Sequence, residues 1–233
     1  MLKLNLKDHM SNKPEQLVFE LPHRAAMGLE DFLVSESNAA AVALVDRWPD
    51  WPISAAILVG PKGSGKTHLA NVWQLRTAAT SYPATVLSRE GVPAVASSSA
   101  VIIEDIQTLV DEAALFHLLN LVREQRLQIL LTTDTAPGDL CIRLPDLRSR
   151  LKALPMASID TPDDALLRAV LVKLFADRQL SVEPHVIDYV LVRMERSMSA
   201  AERFVTEADR QALVRQRRVT RAIAATALDV LGY

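Results

Sequence analysis

Short, mostly apolar runs alternate with longer amphipathic stretches over the first two thirds of the chain. The runs lie at positions 55–60, 84–87, 100–103 and 128–133. Runs of this length are typical of strands that are buried on both faces of a parallel sheet. Residues 35–48, 68–79 and 111–126 show apolar side chains at helical spacing. This alternation predicts an α/β fold with a doubly wound parallel sheet.

The pattern changes after residue 159, because only the helical period remains. It predicts four helices, at residues 163–179, 184–196, 200–216 and 219–232. We therefore place a domain boundary near residue 160. The predicted organisation is a flexible N-terminal arm (1–24), an α/β domain (25–160) and a small all-helical domain (161–233).

The composition narrows the class of protein. With 26 basic and 28 acidic residues in 233, the net charge is −2, which argues against coating nucleic acid by bulk electrostatics. The single cysteine, Cys141, excludes an intramolecular disulfide and a multi-cysteine metal site. No apolar run approaches the ~20 residues of a membrane span, and the first residues do not resemble a signal peptide. We therefore expect a cytoplasmic protein that does not contact a membrane.

Arginine is unevenly distributed along the chain. Eight of the 19 arginines lie between Arg193 and Arg221, interspersed with the acidic residues Glu195, Glu202, Glu207 and Asp209. Such a stretch is either a solvated helix face or a surface that contacts a nucleic-acid backbone or an acidic partner. The sequence leaves both interpretations open.

The segment GPKGSGKT at 60–67 matches the phosphate-binding loop G-x-x-x-x-G-K-[ST] in full. It lies between a predicted strand and a predicted helix, where glycines let backbone N–H groups approach phosphate oxygens. Lys66 would reach the β- and γ-phosphates of a bound nucleotide, and the Thr67 hydroxyl would bind Mg²⁺. The candidate nucleotide ligands are Gly60, Pro61, Lys62, Gly63, Ser64, Gly65, Lys66, Thr67 and His68.

Carboxylates follow two of the predicted strands. Glu104 and Asp105 close the run VIIEDI, and because strand side chains alternate, we expect one to coordinate Mg²⁺ and the other to position or activate water. Thr133 and Asp134 end the next run, where they could contact a γ-phosphate or its water. An ordinary strand-to-loop transition has the same appearance.

Two arginines lie just before the predicted domain boundary, in LPDLRSRL at 144–151. Arg148 and Arg150 are either salt-bridged surface residues or candidates for an arginine donated across an interface to a nucleotide on a neighbouring molecule. An arginine of the second kind stabilises the charge that develops in phosphoryl transfer.

Five segments, taken in order along the chain, resemble the AAA+ module of the bacterial replication initiator DnaA. They are DFLVSESN at 31–38, GPKGSGKTHL at 60–69, VIIEDIQ at 101–107, LLTTDTAP at 130–137 and LPDLRSRL at 144–151. The resemblance covers about residues 25–233. It implies an α/β P-loop NTPase domain of the AAA+ type, with three αβα layers and a parallel sheet, followed by a small all-α lid.

Two features are more similar to the short Hda-type regulators of DnaA. First, the sequence ends directly after the predicted lid, so we expect no helix-turn-helix domain for reading origin DNA. Second, QLVFEL at 16–21 resembles the motif that docks in a pocket of the β sliding clamp, with Gln16 as hydrogen-bonding residue and Leu17, Phe19 and Leu21 as apolar anchors. The alternative for this motif is an edge strand or a segment packed against the core.

The resemblance implies an adenine-nucleotide-binding regulator of chromosomal replication initiation. Docked on the DNA-loaded clamp, such a protein stimulates hydrolysis of DnaA-bound ATP and so prevents over-initiation. Arg150 would act in trans, with Arg148 as the backup candidate, while Lys66 and Thr67 would bind the protein's own nucleotide and Asp134 would be the sensor. DNA would be contacted through the clamp, intrinsic ATPase activity would be weak at most, and self-association is left open.

The chain departs from the family pattern at two places. Glu104 stands where DnaA has an aspartate, and Ser199 or Ala200 stands where DnaA has a sensor arginine in its lid. Arg196 and Arg203 lie one helical turn to either side and could substitute. The alternative functions are a self-contained AAA+ ATPase, such as a helicase loader or initiator-like remodeller, that acts on DNA through its lid, and a purely structural nucleotide-stabilised adaptor.

Overall fold

A five-stranded parallel sheet forms the centre of the α/β part of the protein, which a computed structural model describes over residues 33–233. The strands are β1 (Ala55–Val59), β2 (Thr80–Pro83), β3 (Ala100–Glu104), β4 (Gln128–Thr133) and β5 (Met156–Ser158). Their order across the sheet is β2-β3-β4-β1-β5, and all four pairings are parallel. The predicted α/β fold with a parallel sheet is confirmed.

Helices cover both faces of the sheet because successive strand residues point to opposite sides. The helices of this part are α1 (Ala39–Asp46), α2 (Lys66–Thr77), α3 (Val92–Val95), α4 (Glu112–Gln125) and α5 (Pro145–Ala153). Ile57 and Ile103 belong to the core cluster that includes residues of α3, α4 and α5, whereas Leu58 and Ile102 belong to the cluster that includes residues of α1 and α2. Because all the strands are parallel, the connections that follow them begin at the same edge of the sheet.

The last four helices pack around a third core cluster of their own. They are α6 (Asp164–Asp177), α7 (Pro184–Leu191), α8 (Met198–Arg215) and α9 (Arg221–Leu231). Side-chain caps begin three of them, at Asp163, Ser197 and Thr220. Among the helices of residues 33–233, none is both long and apolar enough to span a lipid bilayer.

The strand predicted at 84–87 is wrong. The second strand lies just before it, at Thr80–Pro83, and Ala84–Val86 form a short 3₁₀ turn. The apolar signal arises because Ala84 and Leu87 are buried in the core, although Val86 is 63% exposed. The strand itself is at the edge of the sheet and has the half-exposed sequence TSYP, which carries no apolar run.

Candidate nucleotide site

The loop at residues 60–65 joins the carboxyl end of β1 to the first turn of α2. Its backbone enters the left-handed region at Gly63 (φ +77°) and Gly65 (φ +106°), conformations that residues with a Cβ atom rarely adopt. No side chain caps the amino terminus of α2. A helix begun in this way presents N–H groups and the positive end of its dipole to an anion.

Lys66 begins α2 and is buried, with 7% of its surface exposed. Its Nζ donates hydrogen bonds to the carbonyl oxygens of Gly60 (2.7 Å) and Pro61 (3.0 Å). Burial lowers the pKa of the Lys66 ammonium below its usual 10.5, and the nearby carboxylates, Asp105 foremost, only partly oppose this shift. The ammonium is therefore a poorly solvated cation that an anion in the loop would stabilise.

Glu104 and Asp105, at the end of β3, contact different neighbours. The Glu104 carboxylate accepts hydrogen bonds from the Thr67 hydroxyl (2.8 Å) and the Ser81 hydroxyl (2.9 Å). Asp105 adopts a left-handed conformation (φ 56°), and its N–H donates to the Thr132 hydroxyl at 3.0 Å. The two adjacent acids therefore have separate environments, because Glu104 lies beside the threonine of α2 and Asp105 is exposed.

A cavity of about 640 Å³ opens above the loop. Eight of the predicted site residues line it: Lys62, Gly63, Gly65, Lys66, Thr67, His68, Asp105 and Asp134. Three others lie in the loop without lining the cavity. They are Gly60, Pro61 and Ser64, of which Ser64 is buried and its hydroxyl has no hydrogen-bond partner.

Gln107 links the two aspartates of the cavity, and the sequence analysis did not single it out. Its amide donates to the Asp105 carboxylate (3.1 Å), and its carbonyl accepts from the Asp134 N–H (3.3 Å). The Asp134 carboxylate in turn accepts from the Thr135 hydroxyl at 2.8 Å. The sequence did contain a signal for Gln107. It is a polar residue just after a strand whose end carries two acids, Glu104 and Asp105.

The residues fit a magnesium nucleotide. The Thr67 hydroxyl and the Glu104 carboxylate are adjacent oxygen donors, the kind of ligand that Mg²⁺ prefers. Residues 33–233 contain no cluster of three or more His, Cys, Asp or Glu side chains that could hold a metal by themselves. Mg²⁺ commonly uses one or two protein ligands and completes its shell with phosphate oxygens and water, so such a cluster is not required.

The amino terminus of α8 lies directly against the loop. The Met198 N–H donates to the Gly63 carbonyl (2.8 Å), and Ser197 caps α8 by accepting from the Ala200 N–H (3.1 Å). A Cβ atom at Gly63 would lie 2.6 Å from the Cβ of Ser197. Helix α8 therefore forms one side of the cavity, through Met198, Ser199 and Glu202.

No arginine of the helical domain lines this cavity in the described structure. Arg196 pairs with Asp164 (2.9 Å). Arg203 donates to the Tyr233 hydroxyl (2.8 Å) and lies 3.8 Å from Glu195. The two candidate substitutes for a sensor arginine therefore contact groups within the last four helices. Of the three α8 residues that line the cavity, Met198, Ser199 and Glu202, the charged one is an acid.

Arg148 and Arg150 lie on α5, away from the nucleotide cavity. Arg148 is exposed. Arg150 is half-buried and lines a second cavity, of about 470 Å³, which also includes Ala55 at the start of β1. Since the loop follows the other end of β1, the length of that strand, about 13 Å at ~3.3 Å per residue, separates the second cavity from the loop. The clamp-motif residues Gln16, Leu17, Phe19 and Leu21 lie outside the described residues.

The parallel sheet and its glycine loop define an α/β fold of the P-loop NTPase type. Domain III of the replication initiation protein DnaA from Thermotoga maritima superimposes with a TM-score of 0.77, covering 90% of this chain and 98% of that one at 17% identity. A structure of DnaA bound to AMPPCP and single-stranded DNA superimposes with a TM-score of 0.67, covering 79% of this chain and 65% of that one at 21% identity. At these identities, the likeness establishes the fold.

Sequence comparison also finds similarity to DnaA. The DnaA of Symbiobacterium thermophilum is 27% identical over 204 residues, which cover 76% of this chain and 44% of that protein. The chain is thus homologous to DnaA at low identity and has the AAA+ DnaA-like fold. It spans less than half the length of the DnaA relatives that it matches. No protein-family model matches the chain.

Proposed function

We propose that this protein binds ADP or ATP with Mg²⁺ and regulates DnaA by supplying an arginine to DnaA-bound ATP. In this proposal, the protein docks on the DNA-loaded β sliding clamp through residues 16–21 and stimulates hydrolysis on its partner, which prevents over-initiation. Homology to DnaA, which has been solved with AMPPCP, supports an adenine nucleotide as the ligand.

The proposed roles in the protein's own site follow the geometry of the cavity. Lys66 and the N–H groups at the start of α2 would bind the phosphates, and Thr67 with Glu104 would hold Mg²⁺. Magnesium, when bound, would neutralise phosphate charge. Asp105 and Asp134, which Gln107 holds at the mouth, would orient a water molecule or sense the γ-phosphate.

The location of Arg150 is the observation that carries the trans role. It lies beside the start of β1, whereas its own nucleotide cavity lies beyond the other end of that strand. It makes no ion pair among the described residues, so its charge is available to an anion from outside. Weak turnover of the protein's own nucleotide agrees with a cavity that α8 lines with Glu202 instead of an arginine.

Single-turnover hydrolysis of DnaA-bound ATP, measured with clamp on DNA, tests this function. We expect the wild type to accelerate hydrolysis and Arg150→Ala to lose most of that acceleration, because a trans arginine contributes about 10³–10⁵-fold in rate. Lys152→Ala, which removes an exposed cation from the same helix, is the control and should retain the wild-type rate. Equal acceleration by wild type and Arg150→Ala would refute the trans role.

A second candidate function is an ATPase that acts on DNA directly through its helical domain. Residues 212–228 contain four arginines and no acidic residue. These are Arg215, Arg217, Arg218 and Arg221, and none of them is in an ion pair within the described part of the chain. Arginines without acidic partners are suited to a phosphate backbone.

Salt-titrated DNA binding distinguishes this second candidate. It predicts that Arg217→Gln with Arg218→Gln lowers the salt slope by about 1 per lost phosphate contact, whereas Arg168→Gln, an arginine paired with Asp188, leaves the slope unchanged. The clamp-docked regulator predicts no DNA affinity that depends on these arginines in the absence of clamp.

A further inference from the structure

Two arginines of the last four helices share one tyrosine ring. The guanidinium carbon of Arg193 lies 3.8 Å from the centre of the Tyr189 ring, and that of Arg221 lies 4.6 Å from it. Tyr189 belongs to α7, Arg193 follows the end of that helix, and Arg221 is the first residue of α9. We call these three residues the Tyr189 cluster. None of them lines the nucleotide cavity or the cavity beside Arg150.

The ring contact leaves most guanidinium donors of the Tyr189 cluster available. A guanidinium packs on a ring with its planar face, so its N–H groups point outward in the plane of the group. Arg193 uses one donor among the described residues, because its Nη1 donates to the Tyr189 carbonyl oxygen at 2.9 Å. The side chain of Arg221 donates none to them. Both arginines are exposed, so a ligand from outside can reach the remaining donors.

The charge of the Tyr189 cluster is not neutralised within the described part of the chain. Neither Arg193 nor Arg221 is in an ion pair there. The acids that flank Arg193 in the sequence lie beside other arginines. Asp188 pairs with Arg168, and Glu195 lies 3.8 Å from an arginine of α8. Because two like charges beside one ring repel each other, an anion that contacts both would stabilise the arrangement.

The amino terminus of α9 adds to this positive potential. Thr220 caps the helix, and its first turn contains no acidic residue. The positive end of the helix dipole lies there, so acids stabilise a first turn and cations destabilise it. Arg221 nevertheless occupies the first position, and Arg217 and Arg218 come just before the cap. The local charges therefore oppose the dipole, and a bound anion would offset this cost.

We propose that Arg193 and Arg221, oriented by Tyr189, bind phosphates of the DNA backbone. A duplex presents one negative charge per ~1.7 Å of its axis, so one strand can contact several guanidiniums at once. The planar fork of each guanidinium also matches a pair of phosphate oxygens. This inference goes beyond both candidate functions. It requires neither the trans role of Arg150 nor ATPase activity, since a backbone contact can accompany docking on a DNA-loaded clamp.

Salt-titrated DNA binding by the full chain, followed by the fluorescence anisotropy of a labelled duplex, is the first test. Arg193→Gln with Arg221→Gln should lower the slope of log affinity against log salt by about 0.9 for each lost phosphate contact. On a single strand of the same length, the loss should be about 0.7 per contact. Arg89→Gln with Arg143→Gln removes two exposed arginines of the α/β part and should keep the wild-type slope.

The second test concerns the ring. Tyr189→Leu keeps an apolar side chain but removes the ring that orients both arginines. We expect the DNA affinity to fall roughly three- to tenfold with an unchanged salt slope, because both charges remain. Tyr189→Phe keeps the ring and should bind DNA like the wild type, whereas a loss equal to that of Tyr189→Leu would show that the ring does not orient the arginines. Urea unfolding of each variant establishes that it is folded under the assay conditions.

Three results would overturn the site. They are equal salt slopes for the wild type and the Arg193→Gln, Arg221→Gln variant, no DNA binding by the wild type at ~50 mM salt, and displacement of DNA by poly-glutamate at equal charge concentration. The last result would assign the Tyr189 cluster to an acidic polypeptide instead of a nucleic acid.

The outcomes also separate this inference from the candidate functions. Arg150→Ala should bind DNA like the wild type, so a failure of the trans role leaves the Tyr189 cluster standing. If Arg217→Gln with Arg218→Gln lowers the salt slope and the cluster variant does not, the second candidate function stands and the Tyr189 cluster is not part of its DNA site.

Discussion

At the scale of single residues, burial and charge oppose each other at Lys66. Its ammonium is almost fully buried and is satisfied by two backbone carbonyls, while three carboxylates, those of Asp105, Asp134 and Glu104, act on it from a distance. The pKa of Lys66 is nevertheless lowered, because desolvation outweighs these carboxylates. Charging Lys66 therefore costs more free energy than charging a lysine in water, and an anion in the loop would offset this cost.

This lowered pKa predicts how nucleotide affinity depends on pH. Bound phosphate would raise the pKa of Lys66 again, so binding takes up a proton once the pH exceeds the pKa of the free protein. ADP affinity should therefore fall with rising pH in a window that begins below 10.5. In the same window, the stability of the free protein should rise with pH, since the unfolded chain holds the proton longer. Calorimetric titration of ADP in buffers of different ionisation enthalpy measures the uptake, and its absence would contradict the assignment.

The two adjacent acids give a second prediction at this scale. Because the Glu104 carboxylate accepts a hydrogen bond from Thr67 while Asp105 contacts Thr132 and Gln107, Glu104→Gln should abolish the Mg²⁺-dependent gain in ATP affinity. We expect a loss of about tenfold or more in metal affinity. Asp105→Asn should retain most of this gain. Fluorescence titration of a labelled ATP analogue with and without Mg²⁺ compares the variants, and the reverse result would exchange the two roles.

At the scale of elements, the loop is in direct contact with the amino terminus of α8. Gly63 combines a left-handed backbone with a carbonyl that binds the Met198 N–H and with a close approach to Ser197. No side chain other than hydrogen fits there without displacing either the loop or the capped end of α8. The position of the helical domain over the cavity thus depends on a glycine.

Gly63→Ala should accordingly destabilise the protein and weaken ADP binding. The left-handed conformation alone costs a residue with a Cβ atom roughly 1–2 kcal/mol, and the contact with Ser197 adds to that cost. Gly138→Ala is the matched control, because its new Cβ would meet nothing closer than 3.9 Å, and we expect a change within about 0.5 kcal/mol. Urea unfolding with and without ADP measures both effects. Equal stability of the two variants would contradict both the cost of the left-handed backbone and the close contact with Ser197.

The elements that carry strong local signals could be predicted from the sequence, and the others could not. The glycine spacing of the loop predicts a tight turn that needs positive φ angles, and the buried strands have continuous apolar runs. By contrast, Thr80–Pro83 is a half-exposed edge strand, and Met156–Ser158 is only three residues long. Helix α5 went unpredicted although Pro145 starts it and Leu147 and Leu151 lie one turn apart. The contacts of Arg150 with Phe116 and Asn120 depend on packing between helices, for which one sequence gives no signal.

At the scale of the whole molecule, two cavities lie toward opposite ends of β1. The first is built around the phosphate loop and is closed on one side by α8. The second presents Arg150 and Arg123 between α4, α5 and the start of β1. In the proposed function, the first cavity binds the protein's own nucleotide and the second receives the partner.

Removal of the N-terminal segment tests whether docking on the clamp and nucleotide binding depend on separate parts of the chain. A variant lacking residues 1–22 should bind ADP as the wild type does, because the described residues that line the cavity, from Lys62 to Glu202, lie outside the deleted segment. It should lose clamp binding, measured by surface plasmon resonance, and clamp-dependent stimulation of DnaA. Undiminished stimulation would contradict docking through residues 16–21 and favour a protein that acts without the clamp.

The central claim is that the loop at residues 60–65 with Lys66 binds an adenine nucleotide, and calorimetric titration of ADP measures it directly. We expect saturable binding to the wild type and roughly 10- to 100-fold weaker binding to Lys66→Ala, because hydrogen bonds to charged groups contribute about 1.5–3 kcal/mol. Lys152→Ala should bind like the wild type. Absence of ADP and ATP binding to the folded wild type, or equal affinity of Lys66→Ala, would contradict the account.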